Sequence, residues 1–344
     1  RYHFDDIDKT RVQLNKLGTY RFVAVKPVPN PQDSSLLDYN IILTRNKTMG
    51  IGGDIELNYS TLSQTRRNLL GIGFDVNYRH RNLFRGAEFF TSALETGIEF
   101  NFRKEDPLIN SVNVNLLNSL QVPRFIDPLR FYTGLNRIRI GKNGLLSDRV
   151  FSWLKEDNSR INLGYQYLSL VDLYDYHSAN FSIGYDATPD PYRRLQLNHF
   201  GIEFFYPTTR PQFDEILENN RYLRESFTPQ FFTGVLFKDY QFVYTGGPDR
   251  RGFNPTLIQT SEISGLEMLG INSLYNWVSG NEGEFVINDT IRFAQFAKFD
   301  FDTRFLKKLK GNQEIAIRAA AGMAFPYGPF SREVPYVKQF YIGG

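Results

Sequence analysis

The chain has 344 residues, with 40 Lys and Arg against 37 Asp and Glu, a formal charge of +3 and a pI near 8.8. That balance argues against a dedicated nucleic-acid binder, which would concentrate basic residues on one face, and the absence of cysteine excludes disulfide frameworks, thiolate metal sites and cysteine nucleophiles. Mean hydropathy is −0.38 and no run of ~18 apolar residues occurs, which argues against helical spans; the 31 Phe and 20 Tyr leave open a transmembrane β-barrel, whose strands meet lipid only at alternate residues.

The first residue is Arg1, no signal-peptide pattern follows it, and the chain stops on Gly343-Gly344. The expectation is an interior piece of a longer protein, and the missing leader says nothing about compartment. Two zones separate near residue 45. In residues 1–45, Asp5 to Leu17 carries apolar residues at Ile7, Val12, Leu14 and Leu17, a loose helical pattern ending at Gly18. A strand follows over Arg21 to Val28, including Phe22, Val23 and Val25, and is halted by the Pro/Asn/Asp/Ser stretch from Pro29 to Ser35. Leu37 to Thr44 completes a hairpin. One helix and two strands make too small a core to stand alone.

From Met49 the period becomes two. Met49, Ile51, Gly53, Ile55, Leu57 and Tyr59 alternate with Gly50, Gly52, Asp54, Glu56 and Asn58, and a second alternating run covers residues 70–78. Weaker strands are predicted over 87–102, 111–121, 159–169, 176–187, 195–206, 229–245 and 260–271. Strong ones return at 297–305 and 315–323. That is roughly eleven strands, each near the ~9–11 residues a tilted membrane strand needs. A soluble β-sandwich or barrel with one wet face is the alternative. The faces decide between them: one is Phe/Ile/Leu/Tyr-rich, the other carries Asp, Glu, Lys, Arg and Asn at successive positions, as in the ring Lys298, Asp300, Asp302 and Arg304. A wet lumen accepts such charges and a packed core does not. Tyr59, Tyr78, Tyr206 and Tyr244 sit near strand ends, as an interfacial girdle would. Short links at 80–86, 188–194 and 306–313 fall on one side, and long ones at 207–228 and 272–290 on the other. Residues 122–158, with Trp153, read as an insertion on the short side that nothing in the sequence explains.

Specific residues carry a resemblance. Leu14 to Val25 resembles the helix-to-strand turn of a POTRA domain, and the zone after it resembles the BamA/TamA family of outer-membrane assembly factors, in Bacteroidota-like form. Arg81-Asn82-Leu83-Phe84-Arg85-Gly86-Ala87-Glu88 resembles the family's turn after the second barrel strand. Val334 to Gly344, with Phe340, Gly343 and Gly344, resembles the start of its sixth outer loop. Arg251-Gly252-Phe253 is not the family's loop-six motif, since it falls in a link on the opposite side.

The resemblance implies a mainly β chain: the C-terminal part of a POTRA (α+β) domain over 1–45, then about two thirds of an antiparallel sixteen-stranded outer-membrane β-barrel over 46–344. It implies no enzyme, no cofactor and no metal. The partners implied are unfolded outer-membrane proteins, outer-membrane lipids and accessory periplasmic or lipoprotein subunits, with the POTRA side in the periplasm and no nucleic acid bound. The implied function is insertion of client β-barrels. A TamA-like translocation subunit is the related alternative, and a passive porin the alternative of another class. An open first strand, Met49-Gly50-Ile51-Gly52-Gly53, would offer backbone N–H and C=O groups to a client strand. Its glycines either weaken the pairing or relieve crowding in the lumen. The Phe22/Val23/Val25 strand could accept a chain in the same way, though connection to preceding modules is the plainer reading. The four histidines, His3, His80, His177 and His199, lie in no catalytic setting.

Overall fold

The computed structural model describes residues 4–33, 36–62, 67–103, 107–127, 130–140, 143–144, 147–155, 158–235, 237–247, 252–280, 292–309, 311, 313–328 and 331–340. Helix α1, Phe4–Lys16, ends where Gly18 turns to φ +65°, a left-handed conformation glycine adopts without cost. Strand β1, Tyr20–Pro29, then pairs antiparallel with β2, Leu37–Arg45, with Val23 opposite Leu43 and Val25 opposite Ile41. Asn30 shapes the connection: its side-chain oxygen accepts from the Gln32 and Asp33 N–H groups while its amide donates to Asp38. This α–β–β unit matches the elements the sequence predicts.

The rest is dominated by one antiparallel sheet. Strands β3 Met49–Leu62, β4 Arg67–Arg81, β5 Phe89–Asn101 and β6 Ile109–Val122 run up and down. An insertion follows, holding α2 Phe131–Arg137, the short strands β7 Arg139–Ile140 and β8 Asn143–Gly144, and α3 Asp148–Lys155. The meander resumes with β9 Asn158–Leu170, β10 Tyr174–Asp190 and β11 Arg193–Thr209. After α4 Pro211–Asn219 and α5 Arg221–Ser226 come β12 Gln230–Gly234, β13 Asp239–Thr245 and β14 Phe253–Ser264. The described chain closes with α6 Leu266–Ser279, β15 Arg292–Phe293, β16 Phe296–Lys308, β17 Glu314–Pro326 and a 3₁₀ turn, Tyr336–Lys338. The strand order is β17-β16-β14-β13-β11-β10-β9-β6-β5-β4-β3, a sequential path of eleven neighbours with β3 and β17 at its edges.

Two predicted strands are corrected. The run 229–245 is broken: β12 pairs with Gly201–Phe205 of the long β11, and β13 pairs lower on the same strand, with Arg193–Asn198. The segment 260–271 is strand only to Ser264. Gly265, at φ +75°, stops the ladder, and Leu266 onward is helix α6. β13 ends and β14 begins at the opposite end of the sheet from the end of β17, which leads to the 331–340 segment, as the alternation of strand directions requires; Arg251 lies outside the described residues.

Register separates the faces. One ladder runs Asp54, Asp75, Glu95, Asn115, Gln166, Ser178 across six strands. On the other face Val76, Leu94, Leu116, Tyr165, Ala179 and Phe204 line up in the same way. The apolar face is open: Ile51 is 79% and Leu57 72% exposed, more uncovered apolar side chain than a water-soluble sheet carries. Tyr59, Tyr78, Tyr206 and Tyr244 all fall on this face near strand ends. The chain is therefore mainly β, built on a large two-faced antiparallel sheet of the kind that forms membrane barrels. Among the described residues β3 and β17 do not pair with each other, and no helix is long and apolar enough to cross a membrane.

At the far end, where β11 leads into α4, Tyr174, Phe205, Phe213, Phe227, Phe232 and Phe296 form a buried cluster. Phe205 and Phe296 share the alternation of Glu203 and Lys298, so α4 and α5 fold over the polar face. At the near end, where Thr48 leads into β3, the insertion packs on the other face: its Phe125, Tyr132 and Phe151 gather around Tyr185.

Candidate functional site

The first candidate is the edge strand β3, which carries Met49, Gly50, Ile51, Gly52 and Gly53 and pairs only with β4 among the described residues. A side chain at Gly52 would meet nothing within 4 Å, and one at Gly53 only the Asp75 carbonyl at 3.5 Å; at Gly50 it would meet the flexible end of Arg79. Crowding does not require glycine at position 52. What glycine does there is withhold side-chain packing from the edge. Next to it the polar face is acidic: Asp54 stands opposite Asp75, and Asp75 opposite Glu95, a like-charge arrangement that weakens cross-strand pairing. A groove of about 550 Å³ opens here, lined in part by Glu56, Gly73, Asp75, Glu95 and Glu99.

The turn after β4 is tightly organised. Asn82, Arg85 and Ala87 all take φ between +63° and +68°, strained for residues with a Cβ. The buried Glu88 carboxylate compensates: the Phe84 and Gly86 N–H groups donate to it at 3.1 and 3.0 Å, and the Ala87 N–H donates to the Asn82 side-chain oxygen. Burial alone would raise the Glu88 pKa, but these backbone donors, helped by Arg124, hold it below the ordinary 4.5.

The third feature is the segment expected to start the sixth outer loop, which holds Phe340 and, unsignalled by the sequence, an ion-pair centre at Lys338. Residues 331–340 descend over the polar face and are fixed by Lys338, whose Nζ lies 2.7 Å from Glu203 and 3.0 Å from Glu262. Glu262 also pairs with the buried Lys238. Phe340 lies 4.4 Å beneath the Lys298 ammonium and so close over Gly322 that a Cβ there would fall 2.5 Å from the ring. A side chain at position 322 would exclude the ring from this place. Further up the same segment, Gln295 N–H donates to Ser331 Oγ at 2.7 Å, and Tyr327 Oη donates to the Ser264 carbonyl at 2.6 Å. Burial, with Glu267 nearby, pushes the Tyr327 hydroxyl up to about 12. Gly343 and Gly344 lie outside the described residues. The charged ring on β16 is partly resolved: Asp302 is clamped by Arg304 and Arg318, each at 2.8 Å. Lys338 stood inside a quoted motif, but its partners come from strands β11 and β14, and no local spacing reveals them.

The remaining predicted site residues lie apart from these. Phe22 is 55% exposed and Val23 buried, and among the described residues the outer edge of β1 pairs with no strand.

No family model and no curated protein matches the chain. Among solved structures it is similar to the crystal structure of BamA from Haemophilus ducreyi lacking POTRA domains 1–3, at 9% identity and a TM-score of 0.22, covering 93% of this chain and 78% of that one. A likeness at that level carries no weight; the membrane-barrel reading rests on the two faces of the sheet and their register.

Proposed function

We propose that the chain is the barrel-forming part of an outer-membrane assembly factor, which folds client β-barrels by offering the β3 edge as a template. The observation that carries this reading is the edge itself: a strand on a membrane-type sheet, stripped of side chains at Gly50, Gly52 and Gly53 where Gly52 has open space around it. Such an edge holds its partner weakly and presents its N–H and C=O groups to an incoming strand. The reaction needs no cofactor, since the energy comes from burying the client's apolar strands in lipid. In this reading the periplasm lies at the near end, with the α–β–β unit as the end of a POTRA domain. The far-end aromatic cluster and the Lys338 segment cover the polar face, which favours an assembly factor over a passive porin. The test is a reconstitution assay, in which a urea-denatured outer-membrane β-barrel folds into vesicles with and without the full-length protein. Acceleration that falls in Gly52→Val, which adds a strand-favouring side chain where there is room for it, supports the reading. No acceleration defeats it, and steady ion conductance without acceleration would establish the porin.

A further inference from the structure

The near-end insertion, residues 123–157, is built onto the apolar face. Tyr185 continues the alternation of Phe181 and Ile183 on β10 and stands opposite Ser159 of β9 and Leu197 of β11. The insertion is fastened to that spot. Ser159 Oγ donates to the Arg124 carbonyl and accepts from the Ile126 N–H, both at 2.8 Å, and Tyr185 Oη donates to the Ile126 carbonyl at 2.6 Å. Above this seam Phe125, Tyr132, Phe151 and Tyr185 make ring contacts at centroid distances of 5.0 to 6.2 Å. Asp127 caps α2 through the Tyr132 and Thr133 N–H groups, and Asn136 donates to Asp148 at the start of α3. The described part of the insertion is thus a foot fastened against the apolar face, the surface that lipid covers in a membrane barrel.

Its composition fits that position. Between residues 124 and 142 the sequence holds Arg124, Arg130, Arg137, Arg139 and Lys142 against one acid, Asp127, whose carboxylate is already taken up by the α2 cap. Arg124, Arg130 and Arg137 are exposed, and so are the apolar Ile126 and Ile138, at 40% and 55%. Ser159 and Tyr185 lie level with the first residues of β9 and the last of β6, which is the strand-end zone where headgroups meet the sheet. Exposed arginines interleaved with isoleucine, with the half-buried Trp153 on α3 of the same insertion, are at headgroup depth the chemistry of an interfacial lipid-binding segment.

Resting on the membrane-barrel reading above, we infer that the described residues of this insertion, from Pro123 through Lys155, form a lipid-binding foot lying in the near-end headgroup layer. Arg124, Arg130 and Arg137 bind anionic phospholipid headgroups, and Ile126, Ile138 and Trp153 enter the acyl boundary. The foot fixes the depth and tilt of the β9–β11 wall.

The two tryptophans of the sequence, Trp153 and Trp277, make this measurable. The full-length protein and its Trp153→Phe variant are reconstituted in phosphatidylcholine vesicles containing phosphatidylglycerol, with and without dibrominated phosphatidylcholine. The difference spectrum isolates Trp153 whatever other tryptophans the full-length protein holds, and a Trp153→Tyr protein supplies the same difference if Trp153→Phe fails to fold. The difference emission is expected to be blue-shifted and to drop at least about twofold in brominated vesicles. The Arg124→Gln/Arg130→Asn/Arg137→Gln protein should lose part of that quenching in anionic vesicles at low salt, and none in phosphatidylcholine alone. A Trp153 signal insensitive to bromolipid overturns the inference. Free access to acrylamide would then put the foot in water, and shielding from both quenchers would put it under a protein partner. Flotation after alkaline carbonate wash separates the two readings, since a protein that does not float defeats the barrel reading itself.

Discussion

Removing the Lys338 ammonium should release residues 331–340 from the polar face. In Lys338→Met the side chain keeps its length and loses its charge, and Glu203 is left with no cation within 4.0 Å among the described residues, whereas Glu262 retains Lys238. At 2.7 Å and an effective dielectric near 20, the Lys338–Glu203 attraction is about 6 kcal/mol before desolvation is subtracted. Both groups are largely buried, with side chains 15% and 20% exposed, so the cost of stranding the carboxylate is about 3–5 kcal/mol. Each 1.4 kcal/mol is tenfold in an opening equilibrium, so amide exchange over 331–340 should accelerate by about two to four orders of magnitude. The readout is hydrogen exchange with mass spectrometry on the protein in vesicles, following the Lys338 and Gln339 amides that now bond to Pro335 and Tyr336. Adding Glu203→Gln should recover most of the protection, because the stranded charge is gone. Unchanged exchange in the single variant, or equal loss in the single and double variants, would refute the idea that this ion pair holds the segment.

Three further outcomes follow from the same geometry. Leu94→Arg, on the apolar face at the middle of β5, should cost about 2–4 kcal/mol in unfolding from vesicles, while Ala93→Arg on the polar face costs far less; equal costs would mean the faces are misassigned. Gly322→Leu should displace Phe340 from the β17 wall, seen as loss of protection at 336–340 with the sheet intact. Glu88→Gln should destabilise the 82–88 turn by about 1 kcal/mol at pH 7. Because the folded carboxylate has its pKa lowered, its stabilisation is present above 4.5 and lost as pH falls through the folded value, so parent and variant should converge in acid; a pH-independent gap would remove the carboxylate from the explanation.

Much of this fold was legible because it is written in a period of two. Runs such as Met49 to Tyr59 or Ala297 to Phe305 declare a strand, its two faces and its approximate length without reference to any partner. The errors arose where that period was absent or interrupted. Leu266, Met268 and Leu269 follow β14 closely enough to read as its continuation, and the left-handed backbone at Gly265 is where the chain turns into a helix instead. The break between β12 and β13 depends on β11 being long enough to serve two partners in turn. The β3 edge could be read from its position and glycines. The Lys338 cluster could not, since Lys338 is 135 residues from Glu203 and 76 from Glu262 in sequence and only the folded sheet brings them together. The insertion at 122–158 was visible but unexplained, and its place on the apolar face follows from the register of Tyr185.

The claim that β3 receives client strands is tested most directly by a photo-crosslinking residue at position 52, where a side chain meets nothing within 4 Å, in cells synthesising outer-membrane β-barrels. The account predicts adducts to nascent barrel proteins from position 52, and none from Leu94 on the lipid face of a central strand. Position 52 giving no client adduct while clients continue to assemble would contradict it.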